Sequence, residues 1–540
     1  MNLETFYEQF ELLADAPKAV QMLREMILQL AMSGKLVKQD RTEQSARSLL
    51  DKITECKNSL VTQKAIRKPL SLPEIDKASW PFELPETWVW TRLGEVFDVR
   101  DGTHDTPKYI KEGVPLVTSK NIYGGQLDLS NVKYISHGDH KKISERSKVD
   151  RRDILFAMIG SIGNPVIVDT EEEFSIKNVA LFKYFSPVLS EPRYLHCYLL
   201  NCAALMRQES SGAVQSFVSL GFLRKYLFAL PPLEEQKRIV AKVDELMALC
   251  DDLETQQQAR AKARSRLNTV ALGRLSSATD EASFKQAWAR VGSAFNTFYS
   301  TPETITELRK TILQLAVQGK LVRQGVSLTP REIPLEELLR EPSRNGLSPK
   351  PSDVPPGTPI LRISAATSRN DAVIDETDYR FLEVQKADLE RYQLNKGDLL
   401  ACRFNGNLHY VGKFAIYKNT SNETRLYPDK LIRFRLDTSK ALPEFVCLTM
   451  NSPLGRAKIE AFCATTAGNI GISAANLKTV PMKLPDVPTQ KRIVAKVDEL
   501  MTLVDELEAG LLQARGDSER LLGAVIQSLL SAENMQPLEV

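Results

Sequence analysis

The chain has 540 residues, of which 43% are hydrophobic and 26% charged, a composition typical of soluble globular proteins. This length predicts about three to four domains. The sequence lacks the run of about 18 apolar residues that a membrane-spanning helix needs, and MNLETFYEQFELL at its start lacks the basic region of a secretory signal. The net charge of +3 gives no support by itself for nucleic-acid binding, which usually leaves a basic footprint.

Cysteine usage indicates the redox compartment. The seven cysteines are scattered, and none forms a CxxC pair. This pattern predicts reduced thiols and a cytoplasmic protein.

The N-terminal region, residues 1–75, is predicted to be helical. Pro17 and Gly34 bracket one amphipathic helix, because proline is tolerated at a helix start and glycine ends helices. A charged helix is expected from about Glu43 to Lys64. Residues 76–232 follow, with short β-like runs and many turns.

Residues 233–325 form a second helical region, which begins after Pro231 and Pro232. Apolar residues step by 4, 3, 4 and 3 positions, as in an a/d heptad seam, and predict a helix from about Leu233 to Leu267. The seam residues are Ile239, Val243, Leu246, Cys250 and Leu253. Another helix is predicted between Pro302, capped by Ser300 or Thr301, and a stop at Gly319.

Residues 326–487 again combine β-like runs with turns, and residues 488–540 form a C-terminal helical region. The last long helix is predicted from about Thr489 to Arg515, after Pro485 and Pro488. Its seam residues are Ile493, Val497, Leu500, Val504, Leu507 and Leu511. Each long helix would span roughly 40–50 Å at 1.5 Å per residue.

Two segments of the chain are repeated. QKRIVAKVDELM occurs at Gln236 and again at Gln490, and LREMILQLAMSGKLVKQ at Leu23 resembles LRKTILQLAVQGKLVRQ at Leu308. The two offsets, from 236 to 490 and from 23 to 308, differ by about thirty residues, so the first copy is longer. A tandem duplication with so long a period predicts two similar domains and an internal pseudo-twofold.

The repeat preserves polar residues that lie largely off the apolar seam. Core packing constrains only the apolar positions, so identity of the polar face indicates an external partner that binds twice. The candidate partner-binding residues are Lys237, Arg238, Lys242, Asp244, Glu245, Lys491, Arg492, Lys496, Asp498 and Glu499.

The regions between the helices are divergent copies of each other. RRDILFAMIGSIGNPVIV at Arg151 aligns with KGDLLACRFNGNLHYVGKFAIY at Lys396, and VPLVTSKNI at Val114 aligns with TPILRISAA at Thr358. The helical segments are nearly identical in the two copies, whereas the regions between them have diverged. This difference indicates that the helices share one task and that each domain has a specific task of its own.

This pattern resembles the specificity subunit of type I restriction-modification systems. The resemblance covers nearly the whole chain and is carried by LPETWVWTRLGEV, LPPLEEQKRIVAKVDELM, ILQLAVQGKL and GDLLACRFNG, in this order and with the duplication. The helical extension that precedes the tryptophan motif departs from the family pattern.

The resemblance implies an α+β fold in which two α/β target recognition domains, residues 76–232 and 326–487, are separated by long helices that form an antiparallel coiled coil. It implies a subunit that binds double-stranded DNA, recruits two modification (methyltransferase) subunits and joins restriction (motor-nuclease) subunits. S-adenosylmethionine, ATP and magnesium would belong to those partners, with no cofactor in this chain.

No motif in the sequence predicts catalysis. The chain lacks a [DNS]-P-P-[YF] methyltransferase motif and a phosphate-binding G-x-x-x-x-G-K-[ST] loop. His137 and His140 have no cysteine or carboxylate framework for zinc, so we expect no metal site there.

Base edges are read by loop residues with amide, guanidinium or hydroxyl tips. The candidates of the first domain are His104, Lys108, Thr118, Ser119, Lys120, Asn121, Gln215 and Ser216. Those of the second domain are Asn345, Lys350, Arg362, Ser364, Arg403, Asn405, Asn407, Lys430 and Asn469. Arg403 and Asn405 stand out, because RFNGN is polar and bears a glycine directly after an apolar run.

Two alternatives remain open at this point. One is a helical scaffold whose globular domains bind protein. The other is the specificity subunit of a related bipartite system that both cuts and methylates DNA.

Overall fold

The computed structural model describes residues 18–160, 162–209, 217–322, 331–369, 371–466 and 469–531. The chain divides into two compact units. Unit 1 comprises the residues up to Ala259 together with those from Arg515 onward, and unit 2 comprises Arg260–Ala514.

The chain contains both helices and strands. The described helices are α1 (Ala19–Met32), α2 (Ala46–Thr62), α3 (Leu93–Val96), α4 (His137–Ser147), α5 (Pro192–Glu209), α6 (Leu220–Lys225), α7 (Leu233–Ser277), α8 (Glu281–Ser293), α9 (Phe295–Phe298), α10 (Pro302–Val317), α11 (Lys386–Tyr392), α12 (Pro443–Asn451), α13 (Pro453–Glu460), α14 (Ala474–Lys478) and α15 (Val487–Ser531). Short 3-10 turns lie at Lys77–Ser79, Pro187–Leu189, Leu335–Leu338, Ser364–Ala366 and Leu408–Tyr410.

The described strands are short and belong to several small sheets. In unit 1 they are β1 (Val89–Arg92), β2 (Phe97–Asp101), β3 (Val114–Val117), β4 (Ile122–Tyr123), β5 (Gln126–Leu127), β6 (Lys133–Ile135), β7 (Ile154–Ala157), β8 (Gly163–Ile167), β9 (Ser175–Ile176), β10 (Val179–Tyr184) and β11 (Leu227–Leu230). In unit 2 they are β12 (Arg331–Pro334), β13 (Arg344–Asn345), β14 (Thr358–Leu361), β15 (Tyr379–Leu382), β16 (Leu399–Cys402), β17 (Phe404–Asn405), β18 (Phe414–Ile416), β19 (Leu431–Phe434), β20 (Ala464–Thr466), β21 (Asn469–Gly471) and β22 (Pro481–Leu484).

The two units contain the same central sheet. Its strand order is β2-β10-β7-β8 in unit 1 and β13-β19-β16-β18 in unit 2, and all neighbours are antiparallel. The middle strands are buried on both faces, which explains why they read as unbroken apolar runs. A separate antiparallel pair, β1–β11 or β12–β22, leads into each long helix. These equivalences confirm that the two divergent regions are copies of one fold.

One glycine position shows how close the equivalence is. A Cβ atom at Gly102 would lie 2.1 Å from the carbonyl oxygen of Ile176, and one at Gly346 would lie 2.1 Å from that of Tyr427. Only glycine permits this approach of two backbone segments. Both glycines directly follow the edge strand of the central sheet.

The long helices α7 and α15 both connect the two units, as expected from the sequence. Each begins in one unit and ends in the other. In unit 1 the start of α7 shares a core with Leu522 and Ile526 near the end of α15. In unit 2 the end of α7, at Leu272 and Leu275, shares a core with the start of α15.

The two heptad seams therefore occupy different cores. The seam of α7 lies in the core of unit 1 and that of α15 in the core of unit 2. Each seam belongs to a core that includes the short repeated helix of its own unit, α1 or α10. Matching ion pairs accompany this packing: Arg24 of α1 binds Asp251 and Glu254. Arg309 of α10 binds Asp505 and Glu508.

The long helices are longer than predicted. Each has 45 residues, which corresponds to about 68 Å rather than 40–50 Å. The apolar periodicity of α7 fades after Leu253, where Gln, Ala, Arg and Lys predominate, yet these residues favour helices strongly. The apolar pattern stops there because this part of α7 has no continuous buried face, but the helix itself continues to Ser277.

The tryptophan motif anchors the start of α7. The indole Nε1 of Trp88 and the amide Nε2 of Gln39 donate to one oxygen of Glu235, at 2.9 and 2.6 Å. Glu235 is fully buried, and desolvation raises the pKa of its carboxyl group above the ordinary value of 4.5. The second copy has Thr489 at the equivalent position, so this polar network belongs to unit 1 alone.

The buried carboxyl group predicts a pH-dependent stability. Unfolded Glu235 ionises near pH 4.5 while the folded protein resists ionisation, so the native protein loses stability as the pH rises through and above 4.5. Glu235→Gln removes this loss. The free energy of unfolding of the variant relative to the native protein should therefore rise with pH in denaturant titrations from pH 4 to about pH 8. A difference that does not change with pH would contradict the assignment.

Candidate DNA interface

In unit 2 the candidate residues gather where β16 leaves the central sheet. The backbone N–H of Arg403 donates to the carbonyl of Lys430 at 2.7 Å, and the N–H of Ile472 donates to the carbonyl of Arg403 at 3.0 Å. Arg403 is thus held between the start of β19 and the end of β21. The adjoining strand β17 pairs with β21, which begins at Asn469.

The Arg403 side chain is half-buried and lies against the Phe404 ring, with its guanidinium carbon 4.7 Å from the ring centroid. Within the described residues no carboxylate lies within ion-pairing distance of this guanidinium. Stacking fixes the plane of the group while leaving its donors available. A planar donor fork presented in this way suits the O6 and N7 acceptors of guanine.

Asparagines shape the loop that follows. The Asn405 side-chain oxygen accepts from the N–H of Asn407 at 3.0 Å, and the Asn407 side-chain oxygen accepts from the N–H of His409 at 3.0 Å. In these turns the side-chain oxygens bind the backbone, and Asn407 is exposed to solvent. These two bonds define the conformation of the loop.

Basic residues that the sequence analysis missed support this loop. Lys413 donates to the carbonyls of Thr367 and Arg369 at 2.8 and 2.9 Å, and Arg456 donates to the carbonyl of Val411 at 2.7 Å. Desolvation, followed by the charges of Lys413 and Arg456, lowers the pKa of His409. Lys413 follows the loop directly in the sequence, whereas Arg456 comes from α13, so only the tertiary structure brings Arg456 here.

Other candidates of unit 2 have internal partners. Arg362 pairs with Asp353 at 3.3 Å and with Asp378 at 3.7 Å, and the Ser364 hydroxyl donates to Asp378. These contacts neutralise Arg362. The remaining candidates, Asn345 on β13 and the exposed Lys350, lie in segments that flank the start of β19.

In unit 1 the candidates meet at the same end of the sheet. Thr103 donates its N–H to the carbonyl of Ile176 at 3.0 Å, and Lys177 donates its N–H to that of Val117 at 2.9 Å. These bonds join three loops. The candidates that they carry are His104, Lys108, Thr118, Ser119 and Lys120.

His104 is held by contacts with two side chains. Its Nε2 lies 2.8 Å from the buried carboxylate of Asp101, and its Nδ1 lies 3.3 Å from the side-chain oxygen of Asn178. Lys177 and Asn178 were not predicted. The sequence alignment of the two domains could have identified them, because Lys177 and Asn178 directly precede β10 just as Asp429 and Lys430 directly precede β19.

One described candidate does not contribute an exposed side chain here. Asn121 is buried, and its amide bonds within its own loop, accepting from Thr118 and donating to the carbonyls of Asp128 and Asn131. Its role is to hold the loop. Gln215 and Ser216 lie outside the described residues.

The exit of β7 differs in chemistry from that of β16. Val218 donates its N–H to the carbonyl of Met158 at 3.0 Å, as Ile472 does to Arg403. Unit 1 therefore has a buried methionine where unit 2 has a stacked arginine. The same backbone frame carries different polar groups in the two units.

Part of the repeated helix face is alike in both copies. Lys242 pairs with Glu245 at 3.0 Å and Lys496 pairs with Glu499 at 2.8 Å. The lysines that precede them, exposed in both copies, are Lys237 and Lys491.

The rest of the face differs between the copies. Arg238 pairs with Glu43, and Asp244 pairs with Arg193 at 2.5 Å, so both have partners within unit 1. Their equivalents, Arg492 and Asp498, are exposed.

Comparisons with known proteins agree with this architecture. The family model described as "Type I restriction modification DNA specificity domain" matches residues 85–263. The Type I restriction enzyme EcoKI specificity subunit of Escherichia coli (strain K12) is 28% identical over 84% of this chain and 90% of its own length. The EcoEI specificity subunit of Escherichia coli is 27% identical over 95% of this chain and 94% of its own length.

This chain is a type I restriction-modification specificity subunit. Proteins of this kind recognise DNA and are not themselves catalytic. A chain from the solved structure "Structural basis underlying complex assembly and conformational transition of the type I R-M system" shares its fold, with a TM-score of 0.50 and 19% identity over 84% of this chain and 100% of the other. Among the described residues of this specificity subunit, no helix is long and apolar enough to cross a membrane.

Arg403→Ala should weaken binding to the target duplex by about 1–3 kcal/mol, the range for a lost bidentate base contact. Titration against target and scrambled duplexes measures the effect. Arg362→Ala is the matched control, since Arg362 is paired with two aspartates. Equal loss on both duplexes would make Arg403 a phosphate contact, and no loss on either would exclude it from the interface.

Proposed function

We propose that this specificity subunit reads an asymmetric DNA site made of two different half-sites with an unread spacer, one half-site per domain. The observation that carries the proposal is the pair of equivalent sheet ends with unlike side chains. His104 and its neighbours occupy this end in unit 1, whereas Arg403 and Asn407 occupy it in unit 2. Because the two domains place different side chains at equivalent backbone positions, they should recognise different base sequences.

We further infer that the repeated helix face binds two modification subunits, one on each pseudo-symmetric side, and that the assembly also carries restriction subunits. The lysine and glutamate pairs common to both copies support a partner that binds twice. The curated relatives are specificity subunits of type I restriction enzymes, a class of multi-subunit enzyme. The reactions of that assembly, and its cofactors S-adenosylmethionine, ATP and magnesium, belong to the partner subunits.

A gel-shift experiment with random-sequence DNA, with and without modification subunits, tests the central claim. Sequence-selective retention is expected and would exclude a purely protein-binding scaffold. Mapping of methylated positions on a randomised plasmid then gives the two half-sites and the spacer.

The long helices are expected to set the spacer length. Four residues inserted in both helices, after Ala259 and after Ala514, add about 6 Å and about 400° of rotation, so the domains keep nearly the same facing. Since base pairs are spaced by about 3.4 Å, the preferred spacer should grow by one or two base pairs with both half-sites unchanged. Methylation mapping measures this directly.

The matched control inserts four residues between Gly124 and Gly125, an exposed turn with open space around it. This insertion should leave the spacer unchanged. An unchanged spacer after the double helix insertion, or altered half-sites, would show that the helices do not set the spacing.

A further inference from the structure

Two arginines occupy equivalent positions in the two recognition domains. Arg100 of β2 donates through Nη1 to the carbonyl of Arg146 at 3.2 Å. Arg344 of β13 donates in the same way to the carbonyl of Arg391 at 3.1 Å. In each domain the first arginine stands two residues before the close-approach glycine, Gly102 or Gly346, and the second lies at the end of the helix α4 or α11.

Carboxylates neutralise this pair in the first domain. Arg100 binds Asp98 with a nitrogen–oxygen distance of 2.6 Å, and Arg146 binds the buried Asp101. Both guanidinium charges are therefore compensated within the domain.

The second domain keeps both arginines and lacks both acids. Pro342 stands in the place of Asp98, and Asn345 stands in the place of Asp101. The side-chain oxygen of Asn345 is buried and has no hydrogen-bond partner within the described part of the chain.

The nearby carboxylates of the second domain are already paired. Glu341 binds Arg433 and Arg435 at 3.2 and 2.6 Å, and Asp398 binds Arg435 through both oxygens at 2.7 Å. Within the described residues, neither Arg344 nor Arg391 has a carboxylate oxygen within 4.0 Å.

The two unpaired cations flank one aromatic ring. The guanidinium carbons of Arg344 and Arg391 lie 5.9 and 5.7 Å from the ring centroid of Tyr392. Like charges gathered without a counter-ion repel each other, and Arg391 is exposed to solvent. An anion bound between them would remove this repulsion.

The position of the pair identifies the anion. Arg344 pairs across the sheet with Arg433, which is three residues from Lys430 and hence about 10 Å along the strand. Lys430 is hydrogen-bonded to Arg403 at the reading end of the sheet. A major groove is about 12 Å wide, so a phosphate beside the bases read by Arg403 falls within reach of the pair.

We propose that Arg344 and Arg391 clamp the DNA phosphate backbone beside the half-site of the second domain, while the equivalent pair of the first domain makes no such contact. The inference rests on the proposed function and deepens it. The clamp contributes sequence-independent affinity and sets the position of the reading loop. Affinity for DNA is therefore more salt-dependent at one half-site than at the other.

The experiment measures the affinity of the full chain with its modification subunits for target and scrambled duplexes between 50 and 200 mM salt, a range in which phosphate contacts dominate the change. Arg344→Gln, Arg391→Gln and the double variant should each weaken binding equally on both duplexes. The slope of log K against log salt should fall by about 0.9 for each arginine removed.

A second variant keeps both arginines. Asn345→Asp supplies the missing acid in the position of Asp101 and should reduce the slope by about 0.9 by occupying Arg391. The matched control is Arg100→Gln, which removes the same backbone hydrogen bond and the same charge from the first domain, and should leave the slope unchanged.

An unchanged slope in Arg391→Gln and in the double variant would overturn the clamp, as would a loss confined to the target duplex, which indicates base reading. A native protein that binds both duplexes alike would instead overturn the proposed function. Thermal melts of each variant separate lost contacts from lost folding.

Discussion

The burial of an apolar seam at the start of each long helix is the constraint on which the rest of this specificity subunit depends. A 45-residue helix with a heptad seam over only its first part must find a partner for that part, and its end must be buried separately. The partner is local, because α1 and α10 each precede their domain and share its core with the following long helix. The ion pairs of Arg24 and Arg309 recur at equivalent places for this reason.

The same constraint joins distant parts of the chain. Because α7 ends among the residues that bury the start of α15, and α15 ends among those that bury the start of α7, each core is completed by the other half of the sequence. Leu522 thus packs in a core with Ile239, and Leu272 in one with Ile493. Duplication alone would give two independent domains, whereas this exchange makes each helix end a structural part of the other unit.

On this frame, small changes at equivalent backbone positions alter the chemistry without altering the fold. Met158 and Arg403 accept the same backbone hydrogen bond, yet one side chain is buried and the other presents a stacked guanidinium. Asp101 and Asn345 follow equivalent arginines, and only the aspartate compensates a charge. Divergence at sheet ends is tolerated because the buried strands β7 and β16 determine where the ends lie.

The repeats, the heptad spacing and the proline and glycine limits were enough to predict the duplicated architecture and the helices, because periodicity and helix ends are properties of neighbouring residues. They also singled out Arg403, since a polar turn after an apolar run is a local pattern. Tertiary structure alone decided the rest. The bonds of Arg456 to Val411 and of Lys413 to Thr367 join residues that are 45 and 46 positions apart. Arg362 and Asn121 bind residues nearer in the chain, but the way each loop folds back decides which side chains meet, and no local pattern records it.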